Sequence, residues 1–297
     1  MKVEILSDGG VLFGDSIICD SYDKSLSSEK SIGIITHAHT DHYQNYIEQL
    51  MGTCEHMFTS KLTKELILCE QNMKAYRARL SQFQGIDFNF QKKINGFKIE
   101  FFPSNHILGA SQVVIEKDKK RYLVAGEIFN PKQIPSNIDV LIIRHPSIKS
   151  ITCHPTKVKK ELAKKIKKIS KKSSIIISTY RGTAQEIMMF LRKKEINSPF
   201  ICYGSLTCWT KTHSQNGYPS ITEYWDWKDN YAQNLVKNNE KYIFFCIMQS
   251  KLPRIIDKQL VKFSISTRLS KYPYRHDLEN GYAYEISNHA DIEQTIE

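Results

Sequence analysis

Apolar and polar positions follow two different regimes along the chain. Through residue 150, short apolar runs prevail: Val11–Phe13, Ile17–Cys19, Ile32–Ile35, Phe97–Phe102, Val113–Glu116, Tyr122–Ala125 and Val140–Ile143 are each of strand length. Helix-like stretches such as Tyr43–Met51 and Ser60–Glu70 lie between some of them. This mixture predicts an α/β fold in which two mixed sheets form a sandwich covered by helices.

Past residue 150, Val158, Leu162, Ile166 and Ile169 recur at helical spacing. Lys157, Lys159, Lys160, Lys164, Lys165, Lys167, Lys168, Lys171 and Lys172 fill the other faces. Ile175–Thr179 reads as a buried strand of the parallel type, followed by a turn, a helix over Ala184–Lys194 and a strand at Phe200–Tyr203. Tyr242–Met248 and Leu260–Ser266 also have strand character. Between these, Trp209, Tyr218, Tyr224, Trp225 and Trp227 stand among polar residues. Such a group suits either the core of a small subdomain or exposed rings that stack on unpaired bases.

With 297 residues, the chain can bury one or two cores. No run approaches the roughly 18 apolar residues of a bilayer span. Met1-Lys2-Val3-Glu4 does not open a signal-peptide apolar segment. No membrane partner and a cytoplasmic location are therefore expected. The seven cysteines (19, 54, 69, 153, 202, 208 and 246) are scattered, with no CxxC pair. They predict reduced thiols rather than a disulfide framework or a Cys-based zinc site.

Charge divides the chain at the same place as the pattern. Residues 1–150 carry 18 Lys+Arg against 17 Asp+Glu, a net of +1; residues 151–297 carry 24 against 14, a net of +10. The basic half suits a polyanion such as nucleic acid, because phosphate contacts dominate that affinity. A solvated lysine-rich face is the other reading, and it applies equally to the lysines around Val158–Ile169.

Thr36-His37-Ala38-His39-Thr40-Asp41-His42 concentrates the candidate chemistry. In extended backbone His37 and His39 share a face and can grip one ion. Asp41 and His42, where the chain turns, can face a second. Imidazole with carboxylate suits zinc or a similar divalent ion.

This HxHxDH motif after a strand resembles that of the metallo-β-lactamase superfamily. The resemblance implies an αββα sandwich and further ligands at His106, in the loop Pro103–Ser111, and at Glu127, in Gly126-Glu127, where the family has Asp. It also implies that Asp20, in Ser16-Ile17-Ile18-Cys19-Asp20, orients the metal loop by hydrogen bonds. Within the superfamily the chain looks like the β-CASP nucleases, in particular ligase-associated DNA exonucleases and RNA 3′-end-processing factors. Three segments carry this likeness: His106–Gln112, Ser178-Thr179-Tyr180-Arg181-Gly182-Thr183-Ala184-Gln185-Glu186, and Ile286-Ser287-Asn288-His289-Ala290-Asp291.

The resemblance implies a metallo-β-lactamase domain of residues 1–150 and 281–297, the chain re-entering it near Tyr282–Ile286. Residues 151–280 would be a basic β-CASP-like α/β insertion, a separate lobe over the metal site. The implied activity is metal-dependent phosphodiester hydrolysis of DNA or RNA, with one or two zinc ions, or manganese, as cofactor. His37, His39 and His106 would hold the first ion and Asp41 and His42 the second, with Glu127 between. Asp41 and His289 would be catalytic, His289 as general acid. Ser178, Thr179, Arg181, Gly182 and Thr183, where helix amides begin, form a candidate phosphate site; an ordinary strand–helix connection is the alternative.

Two positions depart from the family pattern, Glu127 and Arg144, the latter where an acidic partner of His289 is expected. A third departure is the end of the chain at Glu297, where the family adds a helix and a strand. An oligomer or a partner chain completing that edge is therefore a further expectation. The competing function is a family member that binds nucleic acid without cleaving it. Hydrolysis of a small thioester or lactam leaves the basic half without a purpose.

Overall fold

The computed structural model describes residues 1–20, 30–43, 54–70, 83–127, 134–143, 155–247, 252–253, 260–266, 276–278 and 281–286. The chain divides into two compact units, the first built on Met1–Lys149 and the second spanning Ser150–Asn288. The architecture is α/β, with three mixed or parallel sheets.

In the first unit, β1 (Val3–Ile5), β2 (Val11–Phe13), β3 (Ile17–Cys19), β4 (Lys30–Ile34), β5 (Cys54–Ser60) and β6 (Phe83–Ile86) lie side by side in that order. β1 to β3 are antiparallel and β3 to β6 parallel. The second sheet holds β7 (Gln91–Ile94), β8 (Phe97–Pro103), β9 (Ser111–Lys117), β10 (Lys120–Val124) and β11 (Val140–Ile142), antiparallel except where β11 joins β10. Alternation along β8 and β9 turns Phe97, Ile99, Phe101, Val113 and Ile115 inward. There they meet Phe13, Ile17, Ile32, Ile34 and Phe58 of the first sheet in one apolar layer. Val114 and Leu123 face the other way and are covered by Ile134, Ile138 and Ile143. Two short helices, α1 (Thr40–Tyr43) and α2 (Lys61–Leu68), follow β4 and β5.

The second unit is one seven-stranded sheet. It comprises β12 (Ile175–Thr179), β13 (Phe200–Cys202), β14 (Tyr224–Asp226), β15 (Ile243–Ile247), β16 (Val261–Ser266), β17 (His276–Leu278) and β18 (Gly281–Glu285), in spatial order β14-β13-β15-β12-β16-β18-β17. Every neighbour pair is parallel except β17–β18. The helices are α3 (Pro155–Ile169), α4 (Thr183–Lys193), α5 (Leu206–Gln215) and α6 (Asn230–Lys237). Ile175 and Ile177 pack with Val158, Leu162 and Ile166 of α3 and Ala184 and Ile187 of α4. Ile176 points oppositely, to Ala232, Leu235 and Val236 of α6. Helices on both faces explain why β12 is uninterruptedly apolar up to Ser178.

Three expectations are revised. Gly281–Glu285 does not re-enter the first unit; it pairs with β16, and Phe263 meets the rings of Tyr282 and Tyr284 at 5.1 and 6.1 Å. The alternation in this segment specifies a strand but not which sheet receives it. Helix α1 begins at Thr40, before the expected Tyr43–Met51, and residues 44–51 lie outside those described. Cys19, Cys54, Cys202 and Cys246 are buried thiols outside any disulfide, whereas Cys69 and Cys208 are disulfide-bonded, so reduced thiols are not the rule throughout. Among the described residues no helix is long and apolar enough to cross a membrane.

Candidate metal centre

Four strand ends of the first unit meet here: Asp20 follows β3, His37 and His39 follow β4, His106 lies beyond β8, and Glu127 lies beyond β10. The loops are fixed by hydrogen bonds that the strands leave open. Ser111 donates to Thr36 O through both N (2.9 Å) and Oγ (2.7 Å), joining the second sheet to the His37 loop. Ser60 Oγ and Thr63 Oγ1, at the start of α2, donate to Gly109 O at 2.5 and 2.8 Å. Gly109 has φ +79°, and a Cβ there would sit 2.6 Å from Thr63 N. Only glycine lets the His106 loop approach α2 this closely. Gly126, at φ +58°, aims Glu127 in the same way.

His37 Nε2 lies 3.0 Å from His39 Nδ1, which lies 3.1 Å from His106 Nε2. Glu127 Oε2 stands 2.8 Å from His106 Nε2, 3.5 Å from His37 Nε2 and 3.9 Å from His39 Nδ1. An ion held tetrahedrally at about 2.0–2.1 Å would separate its ligand atoms by roughly 3.3 Å. The observed separations bracket that value. His37, His39, His106 and Glu127 thus form a group that could hold a metal ion.

Hydrogen bonds behind the rings of His37 and His42 orient both. Thr36 Oγ1 donates to Asp20 Oδ2, so it accepts from His37 Nδ1 at 3.1 Å. The lone pair of His37 Nε2 then points into the group. Asp20 also accepts from Thr36 N (2.8 Å) and from His42 Nδ1 (3.0 Å). His42 Nε2 therefore faces Asp41 Oδ2 at 3.7 Å and Glu127 Oε1 at 3.8 Å. Each Glu127 oxygen looks toward a different imidazole set. Asp20, His37 and His42 form a second cluster of metal-ligating residue types, in which Asp20 braces His42 from behind.

Burial drives the pKa of His37 and His39 down, keeping both rings neutral and able to ligate. His42 is equally buried, but Asp20 and Glu127 outweigh that and lift it to about 9. Burial pushes Glu127 upward, yet hydrogen bonds from His106, His37, His39 and His42 hold it far below the carboxylate range. These bonds favour the anionic carboxylate.

Of the sequence candidates, Asp41 is close to His42, but its side chain is largely exposed, 63%. Ser178 and Thr179 close β12, and Arg181, Gly182 and Thr183 lead into α4 in the second unit. Arg144 and His289 lie outside the described residues. Thr36, Ser111 and the Ser60/Thr63 pair carry no metal-ligand signature in the sequence, yet they hold the loops in place. Ser60, three residues before Thr63 at a helix start, carries an N-cap signature that could have been read.

No family model matches the chain, and no curated protein matches its sequence. Among solved structures it resembles the crystal structure of a protein of unknown function from Enterococcus faecalis. The identity is 13%, the TM-score 0.63, and the match covers 96% of this chain and 85% of that one. At this identity the likeness is one of fold alone.

Proposed function

We propose that the chain is a metal-dependent phosphodiesterase acting on nucleic acid, of the metallo-β-lactamase and β-CASP type, its second unit being the inserted domain. The observation that carries the reading is the convergence of His37, His39, His106 and Glu127 on one ion-sized point, with His42 facing the other Glu127 oxygen. The two-sheet sandwich beneath it and the +10 charge of residues 151–297 support the same reading.

A divalent ion held by these residues, zinc or manganese, would supply Lewis acidity toward a phosphoryl oxygen and a water of lowered pKa. The protein's part is then to keep His37 and His39 neutral, Glu127 anionic and the His37 ring in one tautomer. Asp41, exposed beside His42, would accept a proton from an incoming water. His289 is assigned to protonate the departing oxygen.

One observation favours a second reading, a member that binds nucleic acid without cleaving it. Glu127 Oε2 lies 2.8 Å from His106, whereas Oε1 lies 3.8 Å from His42. The longer side chain favours the first ion position over the second. Metal analysis of purified protein, followed by cleavage assays on DNA and RNA with and without chelator, decides between them. Bound metal with chelator-sensitive cleavage supports hydrolysis; bound metal without cleavage supports the silent binder. Protein that takes up neither zinc nor manganese rules out the hydrolytic reading.

A further inference from the structure

The second unit carries a candidate ligand site made only of its own residues. Strands β12, β13, β15 and β16 are parallel and end at one edge, with α3, α4 and α5 on one face and α6 on the other. Sheets of this kind seat ligands outside the carboxyl ends of their strands. At that edge β12 turns through Tyr180-Arg181-Gly182 into α4, and β13 turns through Tyr203-Gly204-Ser205 into α5. Gly182 has φ +79° and caps α4 without a side-chain oxygen, so that of the first-turn amides Ala184 N donates to Tyr180 O at 2.9 Å and those of Thr183 and Gln185 face the edge. Its own N–H is taken by Gln185 Oε1 at 2.9 Å. Beside Gly204 there is open space, since a Cβ there would meet nothing within 4 Å.

Thr179 is the independent observation. Ile175 and Ile177 pack on Ala184 and Ile187 of α4, so Thr179, next on the same face, projects at the first turn of that helix. It is fully buried, and its Oγ1 has no hydrogen-bond partner among the described residues. Buried hydroxyls are rarely left so. Trp209 Nε1 of α5 is likewise buried without a partner among the described residues, and its ring lies 6.0 Å from Arg181 Cζ. Arg181 Nε donates to Ser205 Oγ at 3.3 Å, which holds the guanidinium between the two turns. Glu186, the acidic residue in the first turn of α4, is paired with Lys159 at 2.8 Å.

We propose that this edge binds a phosphoryl group, held by the Thr183 and Gln185 amides at the start of α4, Thr179 Oγ1 and the Arg181 guanidinium. The dipole and amides of a helix start favour such an anion, and arginine adds a planar fork of donors. The site takes a free phosphate or the phosphate of a nucleotide. It does not depend on the metal centre.

Calorimetric titration of the full chain, stripped with chelator and dialysed, tests this with inorganic phosphate, adenosine monophosphate and adenosine. Phosphate and the nucleotide are expected to bind one to one, and adenosine not at all. Tighter binding of the nucleotide identifies a nucleotide as the source; equal affinities identify phosphate itself. Arg181→Gln should weaken binding about tenfold or more. Thr179→Val should weaken it about tenfold while raising the melting temperature of the ligand-free protein, because a buried unpaired hydroxyl is removed. Absence of saturable phosphate binding, equal binding of adenosine, or undiminished binding in both variants overturns the proposal. None of these results bears on metal content or cleavage, so the two readings fail separately.

Discussion

Among single residues, Thr36 shows how a hydroxyl can govern a candidate metal site without belonging to it. Its proton goes to Asp20, which leaves its lone pair to receive His37 Nδ1–H. Valine is similar in size but can do neither. Thr36→Val should therefore weaken zinc affinity about 10–100-fold, the usual cost of losing a ligand's hydrogen-bond partner. Competition against a chromogenic chelator would measure it, with Thr36→Ser recovering most of the loss. Equal affinity in the valine variant would mean that packing alone orients the ring. His37 and His39 are legible in sequence because one short loop holds both. Thr36 with Asp20 is not, because their bond spans 16 residues and exists only once β3 and β4 pair.

At the scale of elements, two helices of the second unit carry readable consequences. On α5, His213 is buried, donates from Nδ1 to Trp209 O at 2.8 Å, and is lowered to about 4 by burial. Its folded pKa lies below the unfolded value of about 6.5, so the unfolded chain binds more protons between those values. Stability from this group is complete above roughly pH 6.5 and is lost as pH falls toward 4, an effect of order 3 kcal/mol. Urea melts across that window should flatten in His213→Leu; an unchanged slope would mean that another group is responsible. On α3, Lys160, Lys164 and Lys168 stand four apart, and all three are exposed. Lys159 is engaged by Glu186, and Lys165 lies over the Tyr282 ring at 4.3 Å. Like charges at this spacing repel, and a polyanion would relieve them. Replacing all three by glutamine should lower the salt dependence of duplex DNA binding by about 0.9 in slope for each phosphate no longer neutralised. An unaltered slope would assign the face to solvent.

The elements themselves were unequally legible. Helix α3 was readable because Val158, Leu162 and Ile166 repeat on one face, and all three are buried. The strand β7, Gln91-Lys92-Lys93-Ile94, was not, because an edge strand needs little apolar content when only β8 pairs with it. Trp209 is fully buried in α5, whereas Trp225 lies against Tyr231 at 4.5 Å and stays half-buried. Composition grouped these aromatics, but only tertiary packing separates core rings from surface rings.

For the whole molecule, the separation of cores is the consequential feature. The apolar layer around Phe13, Ile99 and Ile115 belongs wholly to the first unit, and the clusters around Ile177 and Phe244 wholly to the second. The metal-ligating group lies in the first unit and the β12–α4 turn in the second. A ligand that binds only folded protein stabilises it by about 2.7 kcal/mol at a hundred times its Kd. For units near 150 residues that corresponds to roughly 5–10 °C. Scanning calorimetry should accordingly show two transitions, one raised by zinc and the other by phosphate. His106→Ala should abolish the zinc shift and preserve the phosphate shift; Arg181→Gln should do the reverse. A single transition moved by both ligands would mean that the units unfold as one cooperative body. A zinc response that survives His106→Ala would place the metal elsewhere.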